Sequence, residues 1–214
     1  MVSDMTLPRP RAILFDWDNT LVDTWAVTGR AVNITLETMG HKPWTEDEIR
    51  TRVAASLRDT FPKIYGDRWQ EARDVFYKAF EEVHLDLLRQ MPGADAVLKQ
   101  AKGLGIYLGV VSNKAGKYLR KEAGHMGWDA YFAKLVGAQD AQRDKPALEP
   151  VHMALAGSAI DLGPDVWFVG DASIDVECGR AGGCTTVLVR RENYQGPAPD
   201  LHVADCSELL KALA

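Results

Sequence analysis

Four acids stand where a fold selected for stability alone would not put them. Asp16 and Asp18 follow the apolar run Ala12–Phe15, and Asp171 and Asp175 follow the run Val166–Val169. A short apolar run of this kind reads as a strand buried on both faces. In an open α/β sheet, ligands bind outside the carboxyl ends of the strands. Two further runs end in polar residues: Ile106–Val111 in Ser112-Asn113-Lys114, and Leu135–Ala138 in Gln139-Asp140. In a parallel sheet these ends share one edge, which would gather Asp16, Asp18, Asp171 and Asp175 into one crevice. Each pair of like charges ~4 Å apart costs about 4 kcal/mol at an effective dielectric of ~20, so the group demands a cation. Mg²⁺ suits a site of few carboxylates that keeps several waters. Lys145 adds a positive charge. Ser112-Asn113, read as the N-terminus of a helix, would offer amide donors to a phosphate. Metal, lysine, anion-binding amides and spare carboxylates together read as phosphoryl transfer.

These residues need a frame, and the pattern supplies one. From Ala94 onward strands alternate with helices, the signature of a doubly wound, Rossmann-like α/β fold with a parallel sheet. The spacing predicts helices over about 94–102, after Ser112-Asn113-Lys114 to about 124, over about 150–160, and over 174–181 and 207–213. It predicts strands over 106–111, 135–138, 166–169, 185–189 and near 202–203. Between Asp23 and Met91 the character changes. Trp25, Thr28, Val32, Leu36 and Met39 recur at helical spacing, and so do Trp69, Ala72, Val75, Phe76, Ala79, Phe80, Val83 and Leu87. Thr45-Glu46-Asp47-Glu48 resembles a capping box. A βαβ crossover needs only a dozen or so residues, so this longer block is expected to be a helical domain, 23–91, inserted into an α/β core of 1–22 and 92–214. Trp25, Trp44 and Trp69 are expected to fill its interior.

Composition narrows the partners. A net charge of −5 carries no basic footprint for nucleic acid. No apolar run approaches the ~20 residues that span a bilayer, and residues 1–11 hold no apolar core of signal-peptide length. Three cysteines, Cys178, Cys184 and Cys206, follow no metal-ligand spacing and read as reduced core thiols. A cytoplasmic protein acting on a small molecule is expected.

Asp16-Trp17-Asp18-Asn19-Thr20 resembles the DxDxT motif of the haloacid dehalogenase superfamily. Val111-Ser112-Asn113-Lys114 resembles its second motif, Lys145-Pro146 its third, and Gly170-Asp171-Ala172-Ser173-Ile174-Asp175 its fourth, GDxxxD. The ordered set spans most of the core, and the helical insertion resembles the cap of the phosphoglycolate-phosphatase-like subgroup. The resemblance implies a Mg²⁺-dependent phosphatase of a small phosphorylated metabolite. Asp16 would be the nucleophile that forms an aspartyl-phosphate, and Asp18 the general acid and base. The ion would be held by the Asp16 carboxylate, the Asp18 carbonyl and Asp171, with Asp175 acting through water or by orienting Lys145. Ser112 and Lys145, with Asn113, would bind the transferring phosphoryl group, and Thr20 would position the loop. Asn19 stands where glycine is common, and asparagine tolerates the left-handed backbone. Trp17 is expected to pack away from the metal. Residues 54–61 resemble a substrate-sensing loop in which Arg58 could meet a substrate anion.

Three other functions compete. A sugar phosphomutase would use the same residues and would be separated by its need for a bisphosphate. A haloacid dehalogenase proper would have no use for Asp18 or a metal. A non-enzymatic receiver-like phosphoryl acceptor would also gather acids, a hydroxyl and a lysine, but the long helical insertion argues against it.

Overall fold

In the computed structural model the described residues are 7–52, 57–190 and 194–213, with side chains described for all of these except 50 and 57–59. Strand β1 (Ala12–Phe15) leads through β2 (Val22–Asp23) into helices α1 (Trp25–Thr38), α2 (Glu46–Arg52), α3 (Leu57–Tyr65) and α4 (Trp69–Leu87). The chain returns through β3 (Arg89–Gln90), which pairs with β2. Then follow α5 (Ala94–Gly103), β4 (Tyr107–Ala115), α6 (Gly116–His125), β5 (Lys134–Ala138) and α7 (Glu149–Leu155). The last elements are β6 (Val166–Gly170), α8 (Ser173–Ala181), β7 (Thr185–Val189), β8 (Leu201–Val203) and α9 (Cys206–Ala212).

Six strands form one sheet in the order β5-β4-β1-β6-β7-β8, and every pairing in it is parallel. All four residues of β1 are fully buried, as a strand covered on both faces must be. After β1 the chain steps outward through β4 and β5, then crosses back to β6 on the other side of β1. The order therefore reverses between β1 and β6, where doubly wound sheets bind ligands. Leu14, Val111, Val136, Val151, Ala154 and Phe168 share the core between sheet and helices. At Gly179 of α8 a Cβ would stand 2.8 Å from Phe168 and Thr186, so glycine there lets the helix lie close on the sheet.

Two compact units result. One runs up to Val22 and resumes at Gln90; the other is Asp23–Arg89. In the helical unit α1 packs on α4. Val27, Ala31 and Leu36 are buried from α1, with Phe61, Phe76 and Phe80 from the helices that follow. Phe61 meets Phe76 edge-on at 5.8 Å, and Phe76 stacks on Phe80 at 6.0 Å. The Thr45 capping box is present: Glu48 N donates to Thr45 Oγ1 at 3.3 Å, and Thr45 N donates to Glu48 Oε2 at 3.0 Å.

Three sequence expectations change. Trp25, Trp44 and Trp69 are partly exposed and do not fill the helical core. Phenylalanine, with no polar atom to satisfy, takes the interior of this unit instead. Trp44 is held by Asn33, whose side chain bonds its backbone N and O at 2.8 and 3.0 Å, and the Arg52 guanidinium lies 4.8 Å over its ring. Second, β4 runs on to Ala115, past an irregularity in its pairing with β5 between Val111 and Ala115. Ser112 and Asn113 thus lie within the strand and do not open a helix: pairing with β5 resumes at Ala115, opposite Ala138, and α6 starts only at Gly116. Third, α7 stops at Leu155 rather than near Ile160; Gly157 and Ala159 take φ of 84° and 58°, which no helix admits.

Candidate active site

The ends of β1 and β6, the first turn of α8 and the segment between β5 and α7 bring Asp16, Asp171, Asp175 and Lys145 together. Asp16 follows β1 directly, and its amide donates to Val169 O of β6 at 2.8 Å, which fixes it at the switch point. Asn19 takes the left-handed φ of 59° and turns the chain back. Thr20 Oγ1 lies 3.5 Å from Asp16 Oδ2. Lys145 Nζ donates to Asp16 Oδ1 at 2.6 Å and to Asp175 Oδ1 at 2.7 Å, with all three side chains nearly sealed from solvent. Asn113 sets the lysine from behind: its Nδ2 donates to Lys145 O at 3.1 Å, and Lys145 N donates to its Oδ1 at 3.0 Å. The second oxygen of Asp175 caps α8 by accepting from Ala172 N at 3.1 Å. Ser112 is buried at the end of β4, and its Oγ accepts from Lys114 N at 3.2 Å.

Asp16, Asp171 and Asp175 each offer a carboxylate oxygen within 4.8 Å of the others. Asp18 is not of that group. Its Oδ1 accepts from Lys114 Nζ at 2.6 Å. Arg58 lies outside the residues whose side chains are described.

The electrostatics follow from this crowding. Burial raises the Asp16 carboxyl to about 6; Lys145 pulls it down, while Asp175 and Asp18 push it up. Burial raises Asp171 to about 8, reinforced by Asp16 and Asp175 and opposed by Arg190 and Lys145. Burial works against the charge on Lys145, yet Asp16 and Asp175 hold its pKa above the ordinary value. One ammonium thus faces three carboxylates, and two of their pKa values are raised. A hard dication would remove the excess, and all three donors are the oxygens such an ion takes. The residues present fit Mg²⁺.

Sequence reasoning passed over a second cluster. Lys114 Nζ also donates to Glu122 Oε2 at 2.8 Å, and Trp17 Nε1 donates to the same oxygen at 2.8 Å. Glu122 is fully buried. The signal was present: Glu122 occupies the same face of α6 as buried Tyr118, Leu119 and Ala123, where an apolar residue would be expected. The Trp17 ring packs edge-on against Trp128 at 6.0 Å and Phe132 at 6.4 Å.

Within the helical unit a cavity of about 440 Å³ is lined by Trp25, Gly29, Arg30, Asn33, Trp44 and Ile49, among others. The three cysteines are free and buried. Among the described residues no helix is long and apolar enough to cross a membrane.

Comparison with known proteins agrees with this geometry. The chain is 28% identical over 207 residues to a phosphoglycolate phosphatase of Aquifex aeolicus, covering 95% of this chain and 96% of that one. It is 28% identical over 212 residues to a pyrophosphatase PpaX of Bacillus velezensis, covering 96% and 97%. The crystal structure of a HAD-superfamily hydrolase from Ehrlichia chaffeensis superposes with a TM-score of 0.68 at 26% identity, covering 97% of each chain. The model of the haloacid dehalogenase-like hydrolases matches residues 13–189, a span that contains all four motifs, and the chain therefore belongs to that family.

Proposed function

We propose that this hydrolase is a Mg²⁺-dependent phosphomonoesterase of small phosphorylated metabolites, working through an aspartyl-phosphate on Asp16. The observation that carries the reading is the bridge from Lys145 Nζ to Asp16 Oδ1 and Asp175 Oδ1, at 2.6 and 2.7 Å, beside Asp171. It joins a nucleophile, a cation and spare metal ligands at one strand edge. The Asp16 carboxylate, the Asp18 carbonyl, Asp171 and Asp175 would hold Mg²⁺. The ion would neutralise charge on the phosphoryl oxygens.

Asp16 attacks phosphorus, the bond from phosphorus to the ester oxygen breaks, and Asp18 gives its proton to the departing alkoxide. A water then attacks the phosphorus of the aspartyl-phosphate and passes a proton to Asp18. The bond from phosphorus to Asp16 breaks and phosphate leaves. Lys145 and the Ser112 hydroxyl face the charge on the transferring group. Asn113 and Thr20 position rather than react: Asn113 holds the Lys145 backbone, and Thr20 holds the loop of Asp16. Substrate choice is assigned to the helical unit, whose residues 54–61 resemble a substrate-sensing loop.

The test is phosphate release by the pure protein, with Mg²⁺ and with chelator, from para-nitrophenyl phosphate and a panel including phosphoglycolate and pyrophosphate, the substrates named by its relatives. Metal-dependent release from a monoester supports the reading. Release from none of the panel sinks it.

A further inference from the structure

The Asp18 carboxylate is the one acid of the four that leaves the cluster, and a buried ion pair holds it there. Lys114 Nζ lies 2.6 Å from Asp18 Oδ1 and 2.8 Å from Glu122 Oε2. The Lys114 side chain is 6% exposed and that of Glu122 0%, whereas Asp18 is 32% exposed. Burying a lysine and a glutamate together is no gain in stability over an apolar pair of the same shape. Burial opposes the Lys114 charge, yet Asp18 and Glu122 hold its pKa above the ordinary value, so it stays a cation. Glu122 also anchors the neighbouring residue, because its Oε2 accepts from the Trp17 indole at 2.8 Å. Trp17 is wedged by Trp128 and Phe132. One carboxylate oxygen on α6 therefore fixes both the backbone that carries Asp18 and the ammonium that its side chain meets.

We propose that Lys114, held by Glu122, is a positioning residue that sets the Asp18 carboxylate on the leaving-group side of the site and keeps it out of the cluster of Asp16, Asp171 and Asp175. The proposal rests on the phosphomonoesterase reading, in which Asp18 donates a proton to the departing oxygen. Without Lys114 the partly exposed carboxylate loses its partner and can turn away. A misplacement of ~1 Å can cost on the order of 100-fold in rate.

The test exploits the leaving group. Nitrophenolate departs without a proton, whereas an alkoxide needs one. Compare kcat/KM, which reports steps up to departure of the leaving group, for para-nitrophenyl phosphate and glycerol phosphate in the wild type, Lys114→Met and Glu122→Gln. Both variants should lose on both esters, but glycerol phosphate should suffer at least about tenfold more, a general acid being worth roughly 10²–10⁴. Glu122→Gln keeps an oxygen for the Trp17 indole, so it preserves the packing and isolates the charge. Equal losses on the two esters overturn the proposal, since a merely structural role would not distinguish them. A wild type inert on every ester instead sinks the phosphomonoesterase reading. A crystal structure of Lys114→Met then decides the positioning directly: a displaced Asp18 carboxylate supports it, and an unmoved one overturns it.

Discussion

A Cβ on Gly170 would stand 2.3 Å from the Cβ, Cγ and Oδ2 of Asp175. No real side chain tolerates that approach, so glycine at the end of β6 lets Asp175 fold back over the strand and reach Lys145. Gly170→Ala should push Asp175 off the lysine. We expect roughly 100-fold lower kcat and about 1–3 kcal/mol lower stability from overpacking. Kinetics and urea unfolding on the same sample check both, and wild-type kcat with intact stability would contradict the contact.

The metal-free protein should lose stability as pH rises. Asp171 moves from an ordinary value of 3.8 to about 8 on folding, and Asp16 from 3.8 to about 6. Between those values the folded state holds protons that the unfolded chain has released, so stability is greatest below about pH 4 on this account and falls towards pH 8. Mg²⁺ competes with the same protons and should raise Tm more at pH 8 than at pH 5.5. Thermal unfolding with Mg²⁺ and with chelator at the two pH values reads this directly; equal shifts would count against Asp171 as a ligand.

Asp171→Asn separates metal binding from folding. Removing a carboxylate with a raised pKa should stabilise the metal-free protein at pH 8 by at least about 1.4 kcal/mol, the worth of one pKa unit. The same variant should lose the Mg²⁺-induced rise in Tm and nearly all turnover. A variant less stable than wild type without metal would show that Asp171 is adequately compensated by the protein itself.

Asp16→Asn should abolish turnover while the protein stays folded, because asparagine can neither attack phosphorus nor add charge to the cluster. Near wild-type rates would remove Asp16 as the nucleophile.

Lys145→Met leaves Asp16, Asp171 and Asp175 without their shared ammonium. Breaking a buried pair from one side costs about 3–5 kcal/mol. The loss should shrink at pH 5, where Asp16 and Asp171 can take up protons. Unfolding free energies at pH 5 and pH 8 test this, and a loss independent of pH would mean that the lysine serves packing alone.

Short-range pattern alone determined much of this protein. A buried parallel strand is apolar on both faces, so Ala12–Phe15 and Val166–Val169 announce themselves and place Asp16 and Asp171 at their carboxyl ends. The helical block shows because its period differs from that of the strands around it. Polar residues after an apolar run look like a helix start, whereas β4 passes through an irregularity and pairs again at Ala115, opposite Ala138, a long-range partner that the local pattern does not carry. The three tryptophans were misplaced because sequence reports their size and not which faces the neighbouring helices leave open.

Only the tertiary structure decided which charge meets which. Asp16 and Asp18 are two residues apart and chemically identical, yet one faces Lys145 and the other Lys114. That division depends on how β1, β4 and α6 are set side by side, bringing Glu122 to Trp17 across 105 residues of chain. Coulomb energy depends on distance in space and on burial, and neither is carried by the order of residues alone.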